Sequence, residues 1–434
     1  MRILRLPTQI FCIAYAFSLS AQTPTFTKDV APILQKSCQG CHRPGEAAPF
    51  SLLTYEQARP WAKAIKAATL TKKMPPWFAD PKYGKFSNDS SLKQSEIKTL
   101  VAWVDAGSPK GDPKDMPPPR EFVAGWAIPK PDVVIEVPMA YPIPAKGVIE
   151  YQHFLIPAPF KEDKWVQYME ARPSDPSHVH HIIAYIRQPG SKWLKDIKPG
   201  IPFVPVKEKV SEQEDVSALP SDFLVGYAPG QPPEIFDPGQ AKLIKAGSDI
   251  ILQVHYTTNG KPSTDTSRVG LVFAKEPPRM RALTLSASNG LFKIPAGDPN
   301  HRVYAEFELG ATATLHGLHP HMHNRGKDFL YQLKFPNGEI RTILNVPNFR
   351  FGWQLWYTLA EPIVLPKGTI IQCTAHFDNS PNNPDNPDPK KDVVWGDQSW
   401  DEMMVGFFNL VFDAKMPAKD LFPPARKNNE VASN

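Results

Sequence analysis

The sequence predicts a multidomain protein in which a small all-α domain precedes two all-β antiparallel sandwiches. Three observations support this prediction. Residues 24–112 show helical capping and periodicity. Beyond a proline-rich stretch, the pattern changes to short alternating runs broken by Pro, Gly and Asn, which is typical of β-sheet proteins. The 49 prolines among 434 residues also disfavour long helices and suit turns and strand edges.

The N-terminus has the features of a secretory signal over residues 1–21. Arg2 and Arg5 give it a positive start, residues 10–19 are apolar, and residues 18–21 suit cleavage. The apolar run falls short of the ~20 residues of a membrane anchor, and no later segment is apolar enough to span a bilayer. We therefore expect a periplasmic or secreted protein without a membrane span. Its net charge of +5 is too small to indicate a nucleic-acid partner.

The helical domain is predicted over residues 22–112. Thr54 and Gln57 form a capping-box pair at the start of one helix. A later helix has an apolar face and is expected to end at Gly107, because glycine is a common C-terminal stop. The Pro-rich residues 113–130 are predicted to be a linker.

The β-rich part of the chain is long for a single sandwich. We divide it near residue 276 into one sandwich at 131–275 and a second at 276–416. The polar, Pro-rich tail at 417–434 is expected to be disordered. Strand candidates occupy residues 132–138, 165–170, 250–256 and 405–412.

Cys38-Gln-Gly-Cys41-His42 has the spacing of c-type haem attachment. Two thiols one helical turn apart add to the two vinyl groups of haem, and His42 then faces the iron. A zinc half-site would need a second ligand pair, and a thioredoxin-like pair would need a βαβ setting. Because Cys12 belongs to the signal and Cys373 is alone, the cysteines do not form a disulfide framework.

Met74, in Lys-Lys-Met-Pro-Pro-Trp, is the candidate for the second axial ligand of the haem iron. A thioether opposite histidine is the usual pair in electron-transfer haems and raises the potential. The alternatives are a methionine packed in a core and an open sixth position. From the attachment motif through Met74 to the last helix before Gly107, this region resembles a class of small cytochrome c domains.

Most of the remaining histidines lie in four short stretches, at 178–181, 255, 316–323 and 376. Such clustering in β-rich sequence suggests a metal. In His319-Pro-His321-Met-His323 the histidines alternate, so on a strand all three would point to one face. Spacing alone leaves all three as candidates, although Pro320 interrupts the ladder near the first.

The other histidines need a different geometry to meet. His180 and His181 are adjacent, so on a regular strand they face opposite sides and reach one ion only at a twisted or bulged edge. His255 lies in an alternating strand and projects, with Gln253, from the face opposite its apolar residues. That position favours a functional role for His255 over burial in a core.

Four motifs occur in order along the β-rich part of the chain: His180-His181-Ile-Ile, Leu-Gln-Val-His255-Tyr, His321-Met-His323-Asn-Arg-Gly326-Lys and Asp401-Glu402-Met403. With these motifs in this order, the chain over roughly 131–415 resembles the copper type II, ascorbate-dependent monooxygenases. That family includes peptidylglycine α-hydroxylating and dopamine β-hydroxylating enzymes.

The resemblance implies two jelly-roll-like sandwiches that each bind one copper ion. The Gly326-Lys327 that follows the alternating histidines sets their register and excludes His319. The implied ligands are His180, His181 and His255 for the first copper, and His321, His323 and Met403 for the second.

The ligand types agree with copper. Imidazoles suit both Cu(I) and Cu(II), and a thioether favours Cu(I), the form that meets O2. A zinc hydrolase would use three histidine or carboxylate ligands and a general base, so Met403 argues against it. Met404, beside it, is the structural alternative.

The chain also departs from the family. Its secreted members are disulfide-rich, which this chain cannot be. In the peptide-amidating enzymes an Arg precedes the His-x-His motif, and an Asn and a Tyr follow the Met; here His319, Val405 and Phe407 stand in those places. Peptide amidation is therefore not expected. Five histidines are expected to be structural or to support the ligands: His153, His178, His301, His316 and His376.

We therefore expect an exported monooxygenase that hydroxylates a C–H bond of a small molecule with O2. Its expected cofactors are haem c and two copper ions, with His321, His323 and Met403 as the catalytic set. The fused haem is expected to deliver electrons in place of ascorbate or alongside it, and to receive them from an external donor.

Two alternatives stand beside this prediction. One is a haem and copper electron-transfer or copper-binding protein without hydroxylase activity. The other is a haem–copper nitrite reductase, a class that expects a cysteine ligand in its electron-transfer copper site. Cys373 has no neighbouring ligands in the sequence that would make such a site.

Overall fold

The computed structural model describes residues 23–123, 125–205 and 222–423. The predicted signal and residues 424–434 of the predicted tail lie outside the described residues. Among the helices of the described part, none combines the length and hydropathy needed to cross a membrane.

The N-terminal region is a small bundle of short helices. Thr54 caps one of them by accepting a hydrogen bond from the Gln57 backbone amide. The Gln57 side chain accepts one in return from the Thr54 backbone amide, so the predicted capping box is confirmed. The last helix ends before Gly107, whose φ of +83° suits glycine, also as predicted. The bundle contains a π-helical turn at Phe26–Val30, α1 (Ala31–Ser37), α2 (Tyr55–Ala58), a 3-10 turn at Arg59–Trp61, α3 (Ala62–Leu70) and α4 (Gln94–Asp105).

The regular secondary structure in the rest of the described chain is almost entirely β-strand, and the prediction of sandwich-like β-sheets is confirmed. The strands of the first half are β1 (Val133–Glu136), β2 (Tyr141–Ile143), β3 (Gln152–Pro157), β4 (Lys164–Arg172), β5 (Val179–Arg187), β6 (Asp222–Tyr227), β7 (Glu234–Ile235), β8 (Gln240–Ile244), β9 (Asp249–Tyr256), β10 (Ser263–Asp265) and β11 (Arg268–Phe273). Those of the second half are β12 (Met280–Ser288), β13 (Lys293–Ile294), β14 (His301–Glu308), β15 (Ala313–His321), β16 (Gly326–Lys334), β17 (Ile340–Val346), β18 (Tyr357–Leu365), β19 (Ile370–Phe377), β20 (Val393–Val394) and β21 (Val405–Asp413). Two further 3-10 turns lie at Pro113–Asp115 and Ala418–Leu421.

One long sheet runs through both halves, in the order β1-β11-β4-β8-β12-β21-β15-β18, with β7 beside β4. A sheet of order β3-β9-β5-β6 belongs to the first half, and one of order β14-β19-β16-β17 to the second. The long sheet crosses between the halves where β8 pairs in parallel with β12, Gln240 opposite Met280 and Ala241 opposite Arg281.

Two apolar cores fill the spaces between the sheets. Among the described residues, the buried side chains in the core of the first half lie within 135–271, apart from Ala282 and Val411. That of the second half is drawn from residues 283–421. The division near residue 276 falls between these two sets.

A buried polar network joins the two halves beside the β8–β12 crossing. The Lys242 ammonium donates to the Glu234 carboxylate at 3.0 Å, the Leu224 carbonyl at 2.7 Å and the Thr284 hydroxyl at 3.0 Å. Asn409 donates to the other Glu234 oxygen at 3.0 Å. Burial lowers the pKa of Lys242, and Glu234 opposes that shift, so the ion pair offsets the cost of burying either charge.

The segment between α3 and α4 crosses to the second half and lies along β18. Backbone hydrogen bonds join Ser87 to Thr358 at 2.9 Å and Ala360 to Lys85 at 2.8 Å. Phe86 forms a β-bridge with Leu359. Residues 77–88, here called the strap, therefore cover the outer edge of the long sheet.

The predicted linker, residues 113–130, is held at two points. Arg120 donates to the Gln35 carbonyl at 2.8 Å, which joins the middle of the linker to the helical bundle. Ala127 donates to the Glu170 carboxylate at 2.6 Å, which fixes its end to the first half. This stretch contacts both of the units that it joins.

The expected disorder from residue 417 needs a correction. Ala418–Leu421 forms a 3-10 turn, and Leu421 is fully buried in the second core. The Gly310 amide donates to the Leu421 carbonyl at 2.8 Å. Leu421 and Phe422 give this stretch apolar surface that can be buried in the core. The polar composition of the tail as a whole did not indicate that burial.

We predict that Leu421→Ala lowers the free energy of unfolding by about 2–5 kcal/mol, the usual cost of emptying a buried leucine site. Denaturant titration of the full chain measures it. Leu291→Ala is the matched control, because Leu291 is 71% exposed, and its effect should stay within about 0.5 kcal/mol. Equal effects of the two substitutions would mean that residue 421 is not packed in the core.

Candidate metal centre

Three histidines of the first half converge on one point. His181 on β5 lies directly opposite His255 on β9. The register of this strand pair shifts between Val179 and His181, which leaves His180 as an extra residue. A bulge of this kind turns two adjacent side chains toward one side. The local irregularity therefore lets His180 and His181 reach the same place.

The geometry of this triad suits a metal ion. One ring nitrogen from each histidine lies within 4.8 Å of the other two. The Nδ1 atoms of His180 and His181 are 3.1 Å apart. The Nδ1 atom of His255 is buried without a hydrogen-bond partner. Since a buried polar atom is normally paired, an ion bound between the rings would account for this arrangement.

Burial keeps the triad neutral. Burial lowers the pKa of His180 to about 4. The pKa values of His181 and His255 are also held well below the usual range, by burial and then by the neighbouring histidines. Neutral imidazole is the form that binds a metal, so these side chains are ready as ligands near neutral pH.

A second pair of histidines comes from the second half. His321 ends β15, His323 follows two residues later, and their ring centroids are 5.2 Å apart. The His321 Nδ1 donates to the Gln354 amide oxygen at 3.1 Å, and the His323 Nδ1 lies 3.3 Å from the Asp401 carbonyl. Both acceptors select the tautomer in which Nε2 carries the lone pair. The His323 Nε2 is buried without a partner.

Two neighbouring methionines lie in different surroundings. Met403, just before β21, lines the same cavity as His321 and His323. Met404 is fully buried in the second core. Of the two methionines, Met403 is the one that lines the cavity together with the histidine pair.

Glu402 is a buried carboxylate whose role the sequence analysis missed. Its oxygens accept from the His323 amide at 2.8 Å and the Arg325 amide at 2.6 Å. Burial raises its pKa to about 8. Glu402 thus ties the turn that carries His323 to the segment that carries Met403. The sequence signal for this role was the glutamate between Asp401 and Met403 in the Asp-Glu-Met motif.

The two groups of histidines face each other across two aromatic rings. The Tyr151 ring lies 4.4 Å from that of His255 and 6.2 Å from that of His323. The Phe351 ring lies 6.0 Å from His255 and 5.8 Å from His323. Sequence reasoning missed both aromatics, because neither belongs to a recognisable motif.

His319 belongs to a different environment. Its ring stacks on Trp356 with a centroid distance of 4.9 Å, and its Nδ1 lies 3.0 Å from the Leu355 carbonyl. Other histidines pair with carboxylates: His178 with Asp175 at 2.6 Å, His301 with Asp298 at 3.2 Å and His376 with Asp328 at 2.7 Å.

The Cys-x-x-Cys-His motif forms the turn after α1. The His42 amide donates to the Cys38 carbonyl at 2.9 Å, and the thiols of Cys38 and Cys41 are not joined in a disulfide. The His42 Nδ1 lies 3.1 Å from the Phe50 carbonyl, so Nε2 keeps a lone pair for a metal. These features fit a haem attached through both thiols.

Met74 lies in the chain between α3 and the strap. It is half-buried, and its amide donates to the Ala68 carbonyl at 3.2 Å. Its assignment as an axial ligand stays a prediction.

We predict two copper ions per chain, counted by elemental analysis of copper-loaded, dialysed protein. His255→Ala should remove one and His323→Ala the other, because each deletes an imidazole from a different group. His376→Ala is the matched control, since His376 pairs with Asp328 on the sheet surface, and should keep both. Loss of both ions in either single variant would show that the two groups form one site.

Comparisons with known proteins add little. No family model and no curated protein matches the chain. Among solved structures, the VP2 subviral particle of infectious bursal disease virus matches 65% of this chain and 60% of its own at 11% identity, with a TM-score of 0.18. The Gt strain of that virus matches 70% of this chain and 76% of its own at 9% identity and a TM-score of 0.19. The CBM22-1-CBM22-2 tandem domain of Paenibacillus barcinonensis Xyn10C matches 63% of this chain and 81% of its own length, at 10% identity and with a TM-score of 0.13. Such low TM-scores support no argument about fold or function.

Proposed function

We propose that the protein is a copper-dependent monooxygenase of the copper type II, ascorbate-dependent kind, which hydroxylates a C–H bond of a small molecule with O2. One observation carries the proposal. A triad of neutral imidazoles faces a second group of two imidazoles across Tyr151 and Phe351, and the second group lines a cavity together with Met403.

The donor sets support this chemistry. Copper, when bound, supplies one-electron redox steps and the activation of O2. Hydroxylation of R–H by O2 consumes two electrons and two protons and releases one water beside R–OH. Gln354 and the Asp401 carbonyl orient His321 and His323 for a metal at their Nε2 atoms. Glu402 holds the turn of His323 against the segment of Met403.

We further propose that a c-type haem on Cys38 and Cys41 delivers the electrons and receives them from an external donor. The Cys41 sulfur lies 3.5 Å from the point where a side chain on Gly230 would begin. Gly230 is in the turn after β6, and β6 pairs with β5, the strand of His180 and His181. The attachment motif therefore contacts the half of the molecule that holds the triad.

A small void lies in the same part of the molecule, near the turn that contacts Cys41. It is lined by Tyr227 and Gln231 on the side of the attachment motif, and by His181 and His321 on the other. The void therefore reaches from residues beside the motif to one histidine of each group. This arrangement supports our proposal of electron delivery within one chain, with ascorbate as an alternative reductant.

The nitrite reductase alternative lacks support from Cys373. This thiol is fully buried on β19 in the apolar core of the second half, where it packs against Gly406. Burial raises its pKa well above the usual range, so it stays protonated and is a poor metal ligand.

Met403→Leu tests the thioether. We expect Cu(II) binding to persist and Cu(I) affinity at the second group to fall about tenfold or more, because a soft donor discriminates between the two states. Competition with a chromogenic Cu(I) chelator measures this. Met404→Leu is the matched control and should leave Cu(I) affinity unchanged. The reverse pattern would assign the ligand to Met404.

Gly230→Leu tests the route from the haem. The new side chain would push against Cys41, so oxidation of pre-reduced haem by Cu(II) in the same chain should slow several-fold in stopped-flow spectroscopy. Gly190→Leu is the control, because Gly190 has a similar positive φ of +77° and nothing within 4 Å of the added Cβ. Equal rates in the two variants would reject the contact as the route.

A further inference from the structure

A row of exposed apolar residues follows the outer side of α3 in the helical bundle. Trp61, Ala64, Ala67 and Leu70 stand three residues apart, so they form one ridge along the helix. We call these four residues the α3 ridge. Its two large side chains are 41% exposed at Trp61 and 54% exposed at Leu70. The inference drawn from this ridge rests on the proposed function, because it concerns the external donor of electrons to the haem.

The charged residues beside the α3 ridge are all basic. Residues 57–79 contain five lysines and arginines and no acidic residue. One of the five, Lys66, forms an ion pair with Asp105. The other four are exposed and form no ion pair with any described residue. They are Arg59, Lys63, Lys72 and Lys73. An apolar ridge bordered by such cations suits an acidic partner.

The net positive charge of the chain is concentrated in the region that carries this ridge. Residues 23–112 contain 13 lysines and arginines and eight aspartates and glutamates. Residues 113–434 contain 34 and 36, respectively. The helical bundle therefore attracts an acidic protein, whereas the rest of the chain has no net positive charge with which to compete. An uneven charge of this kind orients the encounter of two proteins.

Two aromatic rings connect the α3 ridge with the haem-attachment motif. The Trp61 ring stacks on Phe50 with a centroid distance of 4.0 Å and an angle of 10° between the ring planes. The Phe50 ring lies 4.6 Å from that of His42, and its backbone carbonyl lies 3.1 Å from the His42 Nδ1. Rings in contact thus run from the protein surface to the imidazole that would bind the haem iron.

The same motif has a separate contact with the first half. Cys41 approaches Gly230, whereas Phe50 and Trp61 belong to the helical bundle, and Trp61 is exposed. Entry and exit of an electron are therefore assigned to different residues around one haem. A lipid surface or a second copy of the chain would gain nothing from stacked rings that lead to His42. The rings favour a redox protein as the occupant of the ridge.

We propose that the α3 ridge is the docking site of an acidic electron-transfer protein, whose electron enters through Trp61 and Phe50 toward His42. In this step the partner is oxidised by one electron and the ferric haem is reduced by one electron, and no proton moves. The basic residues steer the partner to the ridge, and the apolar ridge excludes water from the centre of the contact.

Charge reversal beside the ridge tests the docking site. Reduced cytochrome b5, a small acidic haem protein, is mixed without O2 with the oxidised, haem-containing protein, and haem reduction is followed by stopped-flow spectroscopy. The double variant Lys63→Glu, Lys73→Glu should lower the second-order rate constant at least tenfold at low ionic strength, because steering is lost. The difference should shrink to less than about twofold near ~0.5 M salt, where exposed charges are screened.

The matched control is Lys334→Glu, Lys367→Glu. Both lysines are exposed on the second half, and the double substitution changes the net charge of the chain by the same amount. It should keep the second-order rate constant within about twofold of the parent. Equal slowing by the two double variants would overturn the proposal, because total charge alone would then explain the rates.

Substitutions of Trp61 test the aromatic route. At saturating cytochrome b5, Trp61→Leu should lower the first-order rate of haem reduction several-fold, because it removes the ring that stacks on Phe50. Trp61→Phe keeps a ring there and should stay within about twofold of the parent. An unchanged rate in Trp61→Leu would reject the route through this side chain.

Two other occupants give different results. Vesicles that contain phosphatidylserine and bind through Lys63 and Lys73, while cytochrome b5 reduces the parent and the double variant equally, would overturn the proposal in favour of a lipid surface. Dimers in analytical ultracentrifugation that Leu70→Glu dissociates, with the same equal rates, would overturn it in favour of a second copy. Failure of the proposed function would instead appear as absent copper or absent O2 consumption, with haem reduction by cytochrome b5 and its dependence on these lysines intact.

Discussion

The parallel pairing of β8 with β12 is the constraint on which the arrangement of both histidine groups depends. It joins the two halves into one long sheet, so the sheet of β5 and β9 and the end of β15 are held at a set distance. The Lys242–Glu234 pair reinforces this junction from inside. Two domains linked only by a flexible chain would move relative to one another, whereas a shared sheet opposes that motion. A site built from both halves therefore needs no separate closing step.

The cost of this arrangement lies in its buried polar atoms. Unpartnered ring nitrogens on His181, His255 and His323 are each expensive in an apolar setting. Neutral imidazoles keep that cost below that of buried charges, and a bound ion would remove it. Stability and metal binding are then coupled, because a bound ion would pair the ring nitrogens that folding alone leaves without a partner. The same reasoning explains why Glu402 is held by backbone amides.

Much of the architecture could be predicted because it follows local rules. The capping box at Thr54, the stop at Gly107 and the alternating strands are patterns of a few neighbouring residues. From the sequence, the bulge at His180 could be named only as a requirement for His180 and His181 to reach one ion. Whether it forms depends on the pairing with the partner strand β9. Tyr151, Phe351 and the strap were missed for a related reason: their contacts join residues far apart in sequence. The start of the predicted tail was misjudged because composition was weighed above the burial of Leu421.

The strap has a consequence for the order in which the chain assembles. Its hydrogen-bond partners on β18 lie about 270 residues further along, so its docking has high contact order and must wait for nearly the whole chain. The helical bundle has its own core and its own short-range contacts, which form early. During synthesis we therefore expect the bundle to fold first, with the Cys38–His42 turn uncovered. Any group that is attached there has access before the first half packs against it.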